Sequence, residues 1–186
     1  MSDDDFKDYY RVTEVLSKFS GLDKIDPVVL TNAADRGTRC HNFCELYAKN
    51  ELFVEIDLDC KPYVDSFIEW FDLTVERVEF LEKRLFCDEL RITGQMDMLA
   101  YLKGDEKPSL IDIKTPQSES KTWPLQLAAY RHLMNANSID YKNSFVLQLN
   151  KFGNSAKIFD YTSRAEKDLE LFKNLLSVHK YFSPLK

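Results

Sequence analysis

Asp97 and the group Asp112-Ile113-Lys114 have the residue types and spacing for metal-assisted hydrolysis. Two carboxylates held together are suitable hard oxygen ligands for Mg²⁺ or Mn²⁺. An ion held this way lowers the pKa of a bound water and neutralises charge on a phosphate. Lys114 would orient that water or stabilise charge developing on phosphate oxygens. Placing Asp112 and Lys114 beside Leu110, Ile111 and Ile113 costs desolvation unless the two charges serve each other or an ion. A surface ion pair on an edge strand would show the same spacing, and spacing alone does not separate the two readings.

These residues need strands to position them. Ser109–Thr115 reads as a strand, and alternation puts Leu110, Asp112 and Lys114 on one face with Ile111 and Ile113 on the other. Glu89–Leu102 reads as the strand before it, joined through the turn-rich Lys103-Gly104-Asp105-Glu106-Lys107-Pro108. The two are then antiparallel neighbours, which brings Asp97 towards Asp112. Val75–Phe86 is mixed in pattern, with a strand around Glu82.

Upstream, Val12–Phe19 predicts a short helix ended near Gly21, and Asp26-Pro27 caps a long helix to about Asn50. Gly37 inside that helix implies a kink or a close backbone approach. Lys61-Pro62 opens another helix. Downstream, Trp123–Asn137 is helical, Phe145–Leu149 and Ala156–Tyr161 form a hairpin around Phe152-Gly153-Asn154, and Ser163 with Glu166 makes a capping box for a last helix. The order is helices, three strands, helix, two strands, helix, an α/β class with a mixed sheet packed by helices. We expect one domain over 1–186, mainly helical to 74, with the sheet and its inserted helix over 75–161 and the closing helix over 163–182.

The bulk properties set limits. Hydrophobic content of 44% and charged content of 30% suit a folded chain with a core. No apolar run approaches the roughly 20 residues of a membrane span, so no membrane association is expected. The acidic opening Met1-Ser2-Asp3-Asp4-Asp5 is unlike a targeting segment, which leads to the expectation of a cytoplasmic protein. Cys40, Cys44, Cys60 and Cys87 have no paired spacing and read as free thiols. The net charge of −6 argues mildly against nucleic-acid binding unless positive charge is local.

Gly94-Gln95-Met96-Asp97, Asp112-Ile113-Lys114-Thr115 and Gln126-Leu127-Ala128-Ala129-Tyr130 together resemble the core motifs of the PD-(D/E)XK nuclease superfamily. Within it they resemble the RecB-like and phage-type exonuclease branch. Arg36-Gly37-Thr38-Arg39-Cys40-His41 is similar to that branch's first motif, and Val12-Thr13-Glu14-Val15-Leu16 to the N-terminal helix of its phage members. The resemblance spans residues 12–130 in the expected order. It implies a restriction-endonuclease-like core and a Mg²⁺- or Mn²⁺-dependent DNA exonuclease. By position, it implies metal contacts from His41, Asp97, Asp112, the Ile113 carbonyl and Glu82, a catalytic Lys114, and a supporting Gln126 and Tyr130. Iron–sulfur members carry cysteines on both sides of the core, whereas here none follows Cys87, so no such cluster is expected.

The resemblance also implies single- or double-stranded DNA ends as substrate. A recombination or helicase partner and a homo-oligomer are further expectations. Arg36, Arg39, Lys121, Tyr130 and Arg131 flank the motifs and are candidate DNA contacts. Each residue has a plainer reading. A lone helix histidine is usually structural, Glu76 and Glu79 compete with Glu82, Tyr130 could be core, and single arginines are often solvated. A non-catalytic DNA-binding or assembly subunit and a structure-specific endonuclease are the alternative functions.

Overall fold

One long hairpin and four shorter strands make the frame on which everything else is placed. The computed structural model describes residues 7–21 and 24–185, so the acidic opening Met1–Asp5 lies outside the described residues. β1 (Tyr10–Arg11) leads into α1 (Val12–Ser17), α2 (Pro27–Ala48) and α3 (Lys61–Thr74). β2 (Val75–Cys87), β3 (Ile92–Leu102) and β4 (Ser109–Lys114) follow, then α4 (Trp123–Ala136), β5 (Ser144–Gln148), β6 (Lys157–Asp160) and α5 (Ala165–Phe182).

Local chemistry explains most boundaries. The Asp26 carboxylate accepts the N–H groups of Val28 and Val29 at 2.9 and 3.2 Å, satisfying donors that the first turn of α2 leaves open. α2 continues through Gly37 without a break. Gly37 instead serves close approach: a Cβ there would lie 3.4 Å from Thr115 Oγ1, so the helix rests on the end of β4. Lys61-Pro62 begins α3, as expected from a proline in the first turn.

Two expectations are corrected and one strand is added. Ser163 caps nothing: Thr162–Arg164 form a 3₁₀ turn, and α5 starts at Ala165 with no side-chain cap. Asp160 takes the Thr162 N–H at 2.8 Å, turning the chain early and leaving Ser163 inside the turn. β3 begins at Ile92 rather than Glu89, because Arg91 N–H bonds the Asp88 carbonyl at 3.1 Å and closes a turn there. β1, only two residues long, carries no readable alternation and was not expected.

The six-stranded sheet is mixed, in the order β1-β3-β4-β5-β6 with β2 also paired to β3. β2–β3, β3–β4 and β5–β6 are antiparallel, while β1–β3 and β4–β5 are parallel. Helices cover both faces. Leu110, Leu127, Tyr130, Leu133, Val146 and Phe172 belong to one apolar layer, with α1, α4 and α5. Ile111, Ile113, Cys40, Cys44, Phe67 and Trp70 belong to the other, with α2 and α3. The alternation expected of β4 therefore divides its apolar residues between two cores. Among the described residues no helix is long and apolar enough to cross a membrane.

Candidate active site

β3 has two edges, and β2 pairs along one of them from Ile92 to Leu102. Both β1, at Ile92–Thr93, and β4, at Met98–Ala100, must then use the other edge. Between them the edge formed by residues 94–97 has no strand partner among the described residues, and the sheet forks. The cleft at the fork is lined by Arg11, His41, Glu82, Arg84, Gln95, Asp97, Lys114 and Gln126, among others.

The fork turns Asp97 from a ladder residue into a ligand-like one. The β3–β4 pairing ends at Met98↔Ile111, and the Asp97 Oδ2 accepts the Ile113 N–H at 2.7 Å where a strand carbonyl would otherwise have served. Asp112 is 1% exposed and pairs with Lys114, Oδ2 to Nζ 2.7 Å. β4 lies between β3 and β5, so the surface ion pair on an edge strand is not what the fold contains. Gln126 Nε2 donates to Asp112 Oδ1 and to the Tyr130 hydroxyl, both at 3.0 Å. The i, i+4 spacing on α4 makes this possible, because both side chains share one face.

α2 supplies His41, whose Nδ1 is 3.7 Å from Asp97 Oδ2. One ligand atom each from His41, Glu82 and Asp97 lie within 4.8 Å of one another. The register Leu81↔Met98 and Lys83↔Met96 brackets Glu82 against Asp97. Glu82 has φ 48°, a left-handed conformation that costs a non-glycine residue roughly 1–2 kcal/mol. The strain falls at the residue facing Asp97, and Gln95 Nε2 holds the Glu82 carboxylate at 2.8 Å.

Burial dominates the electrostatics. It raises the Asp112 carboxyl to about 6, with Asp97 adding to the rise and Lys114 opposing it. Burial also raises Asp97, against Lys114 and the Ile113 N–H, and raises Glu82 with help from Asp97. Burial works against the charge on Lys114, but Asp112 and Asp97 outweigh it and raise the ammonium. His41 is lowered by burial first and Lys114 second, against Asp112, Glu82 and the Ile113 carbonyl, which favours the neutral, ligating ring.

Glu82, Asp97 and Asp112 outnumber Lys114, the one ammonium paired with them, while Arg11 and Arg84 also line the cleft. Asp112 Oδ2 is also buried without an aligned hydrogen bond, although Lys114 is near. Such an atom is costly unless something completes its coordination. The donor set fits a hard or borderline cation such as Mg²⁺ or Mn²⁺.

Asp97, Asp112, Lys114, His41, Glu82 and Gln126 are thus brought together, with the Ile113 carbonyl against the His41 ring. Glu76 and Glu79 are exposed. Glu45, one turn after His41, pairs with Lys49 at 2.6 Å. The expected DNA contacts are mostly not gathered here. Arg39 is held by Asp35, Asp57 and Asp59, and these carboxylates keep its guanidinium charged. Arg131 is buried and bonds the Ser144 hydroxyl. Arg36 lies over the Tyr63 ring, 5.6 Å from its centroid, and Lys121 lines a separate hollow with Arg164 and Leu171. Tyr130 is 2% exposed, so its placement suits support of Gln126 rather than contact with DNA.

Arg11, Thr13, Arg84 and Gln95 were missed. Arg84 Nη2 donates to Gln95 Oε1 at 2.7 Å, making a chain from Arg84 through Gln95 to Glu82. Gln95 lies within Gly94-Gln95-Met96-Asp97, two residues before the candidate carboxylate, which is its signal in the sequence. Arg11 had none, since its place depends on β1 joining the far edge of β3.

No family model and no curated protein matches the chain. Its fold is similar to a solved structure from Eubacterium rectale described as "Putative exonuclease", with a TM-score of 0.62 and 14% sequence identity. The superposition covers 97% of this chain and 84% of that one. At that identity the likeness establishes the shared architecture, a mixed sheet flanked by helices.

Proposed function

We propose that this chain is a divalent-metal-dependent deoxyribonuclease acting as an exonuclease on DNA ends. The observation that carries this reading is the convergence of Asp97, Lys114, His41 and Glu82 on one forked cleft, with Asp112 buried behind it against Lys114. The exonuclease part rests on the motif resemblance and on the description of the structurally similar protein.

Asp97, Asp112, His41 and the Ile113 carbonyl would hold Mg²⁺ or Mn²⁺, with Glu82 as a further donor. A bound ion of this kind supplies an activated water and neutralises phosphate charge. Lys114 stays protonated beside Asp112 and presents an ammonium to the charge that develops on phosphate oxygens. Gln126 fixes the Asp112 carboxylate through one N–H and is itself held by the Tyr130 hydroxyl. Arg11 and Arg84, at the cleft, add the local positive charge that the acidic net charge lacks elsewhere.

Digestion of end-labelled linear and closed circular DNA in Mn²⁺ tests the proposal. Loss of label from linear ends with circles intact is expected, abolished in Asp112→Ala and Lys114→Ala. Cutting of circles would make it an endonuclease. Salt-sensitive binding without cleavage would make it a non-catalytic DNA-binding subunit.

A further inference from the structure

We infer that Cys87, Glu89 and His132 form a second metal site, of the zinc class, separate from the carboxylate cleft. Cys87 ends β2, Glu89 lies in the turn before β3, and His132 is on α4. One ligand atom from each lies within 4.8 Å of the other two. None of the three lines the cleft around Asp97.

Geometry and donor chemistry agree. Cys87 Sγ is 3.5 Å from His132 Nε2. A tetrahedral zinc ion with Zn–S of about 2.3 Å and Zn–N of about 2.0–2.1 Å sets sulfur and nitrogen about 3.5–3.6 Å apart. That edge is therefore already in place. Cys87 is buried and His132 half-buried, so both are pre-positioned, whereas the exposed Glu89 has the freedom to close on an ion and leaves a fourth position to solvent. Thiolate with imidazole selects a borderline-soft ion, whereas carboxylates with a main-chain carbonyl suit a harder one, so the two sites would sort metals between them.

Binding replaces the thiol proton, which leaves to solvent, with a metal–sulfur bond and involves no redox change. A thiolate and a carboxylate then balance the dication beside Lys173, which faces His132. The ion would clip the β2–β3 turn to α4, reinforcing the bond from Asn137 Nδ2 to the Phe86 carbonyl at 2.7 Å. The hairpin carries Glu82 and Asp97 and the helix carries Gln126, so the clip would hold the two halves of the cleft in register.

Titration of the full chain with Co²⁺ alone, followed by Zn²⁺, tests the site. A near-ultraviolet sulfur-to-cobalt charge-transfer band should saturate at one equivalent, vanish on adding Zn²⁺, and be absent in Cys87→Ser. The oxygen-rich cleft can take Co²⁺ but cannot produce that band. Glu89→Gln, at an exposed turn, should keep the fold and weaken Zn²⁺ binding on the order of tenfold. Zn²⁺ should raise the melting temperature of the wild type more than that of folded His132→Gln, since the carboxylate cleft is common to both. Absence of the band, or its persistence in Cys87→Ser, would reduce the contact to a thiol–imidazole hydrogen bond and overturn the inference.

Discussion

The Asp97 carboxylate accepts the main-chain N–H of Ile113 at 2.7 Å, across the point where β3 and β4 part. One side chain thereby closes the ladder of the sheet and enters the candidate site. Structure and chemistry are separable at this residue by choice of substitution. Asp97→Asn keeps an acceptor for Ile113 and removes the charge, so folding should be retained while DNA cleavage falls by about a hundredfold or more. Asp97→Ala also strands the buried N–H and should lose a further 1–3 kcal/mol of stability, about what an unsatisfied buried donor costs. Cleavage rates in Mn²⁺ and melting temperatures of the two variants check both parts.

The raised Asp112 carboxyl makes the metal-free protein sensitive to pH. Its folded value of about 6 stands above the ordinary 3.8, so the folded state binds that proton more tightly than the unfolded chain. The stabilisation from this group is fully present below the ordinary value and lost as pH rises through about 6. Asp97 and Glu82 shift in the same direction. In a chelator, Asp112→Asn should gain thermal stability relative to wild type as pH rises through this window. Saturating Mn²⁺ should remove the difference, because bound metal replaces the proton as the compensating charge. An Asp112→Asn melting curve that tracks wild type at every pH would contradict this.

Gly94 is required by the ring behind it. A Cβ at this position would lie 2.7 Å from Tyr130 Cε1 and 3.0 Å from Leu133 Cδ1, both on α4. Gly94→Ala should cost about 1–3 kcal/mol as overpacking. It should also lower activity, since Tyr130 holds Gln126 and Gln126 holds Asp112. Thermal melts combined with cleavage assays would show the two losses together. The same substitution at Gly104, where no heavy atom lies within 4 Å of an added Cβ but φ is +84°, would show backbone strain without the activity loss.

The arginines divide by where they lie. Arg11→Ala and Arg84→Ala, at the cleft, should each weaken DNA binding and lower the salt slope of binding by about one. Arg39→Ala should leave the salt slope unchanged and instead lower stability, since three carboxylates lose their common partner. Binding isotherms across a salt series distinguish the two groups.

Much of this molecule is determined locally and was legible in order along the chain. The Asp26 cap, the prolines opening α2 and α3, and the alternation of β4 each depend on neighbours a few residues away, where side-chain chemistry acts on the adjacent backbone. The pairing of Asp97 with the Asp112 strand followed from one turn. Only the tertiary structure decided the rest. Arg39 and Arg131 have the same charge as Arg11 and Arg84, yet distant carboxylates and a buried serine claim them. The fork itself arises because β1 and β4, far apart in sequence, share one edge of β3. Charge placement across such distances depends on which surfaces meet. For Asp97, Asp112 and Lys114, residue type and spacing supplied the candidate chemistry, and burial at the fork raised the cost of their charges.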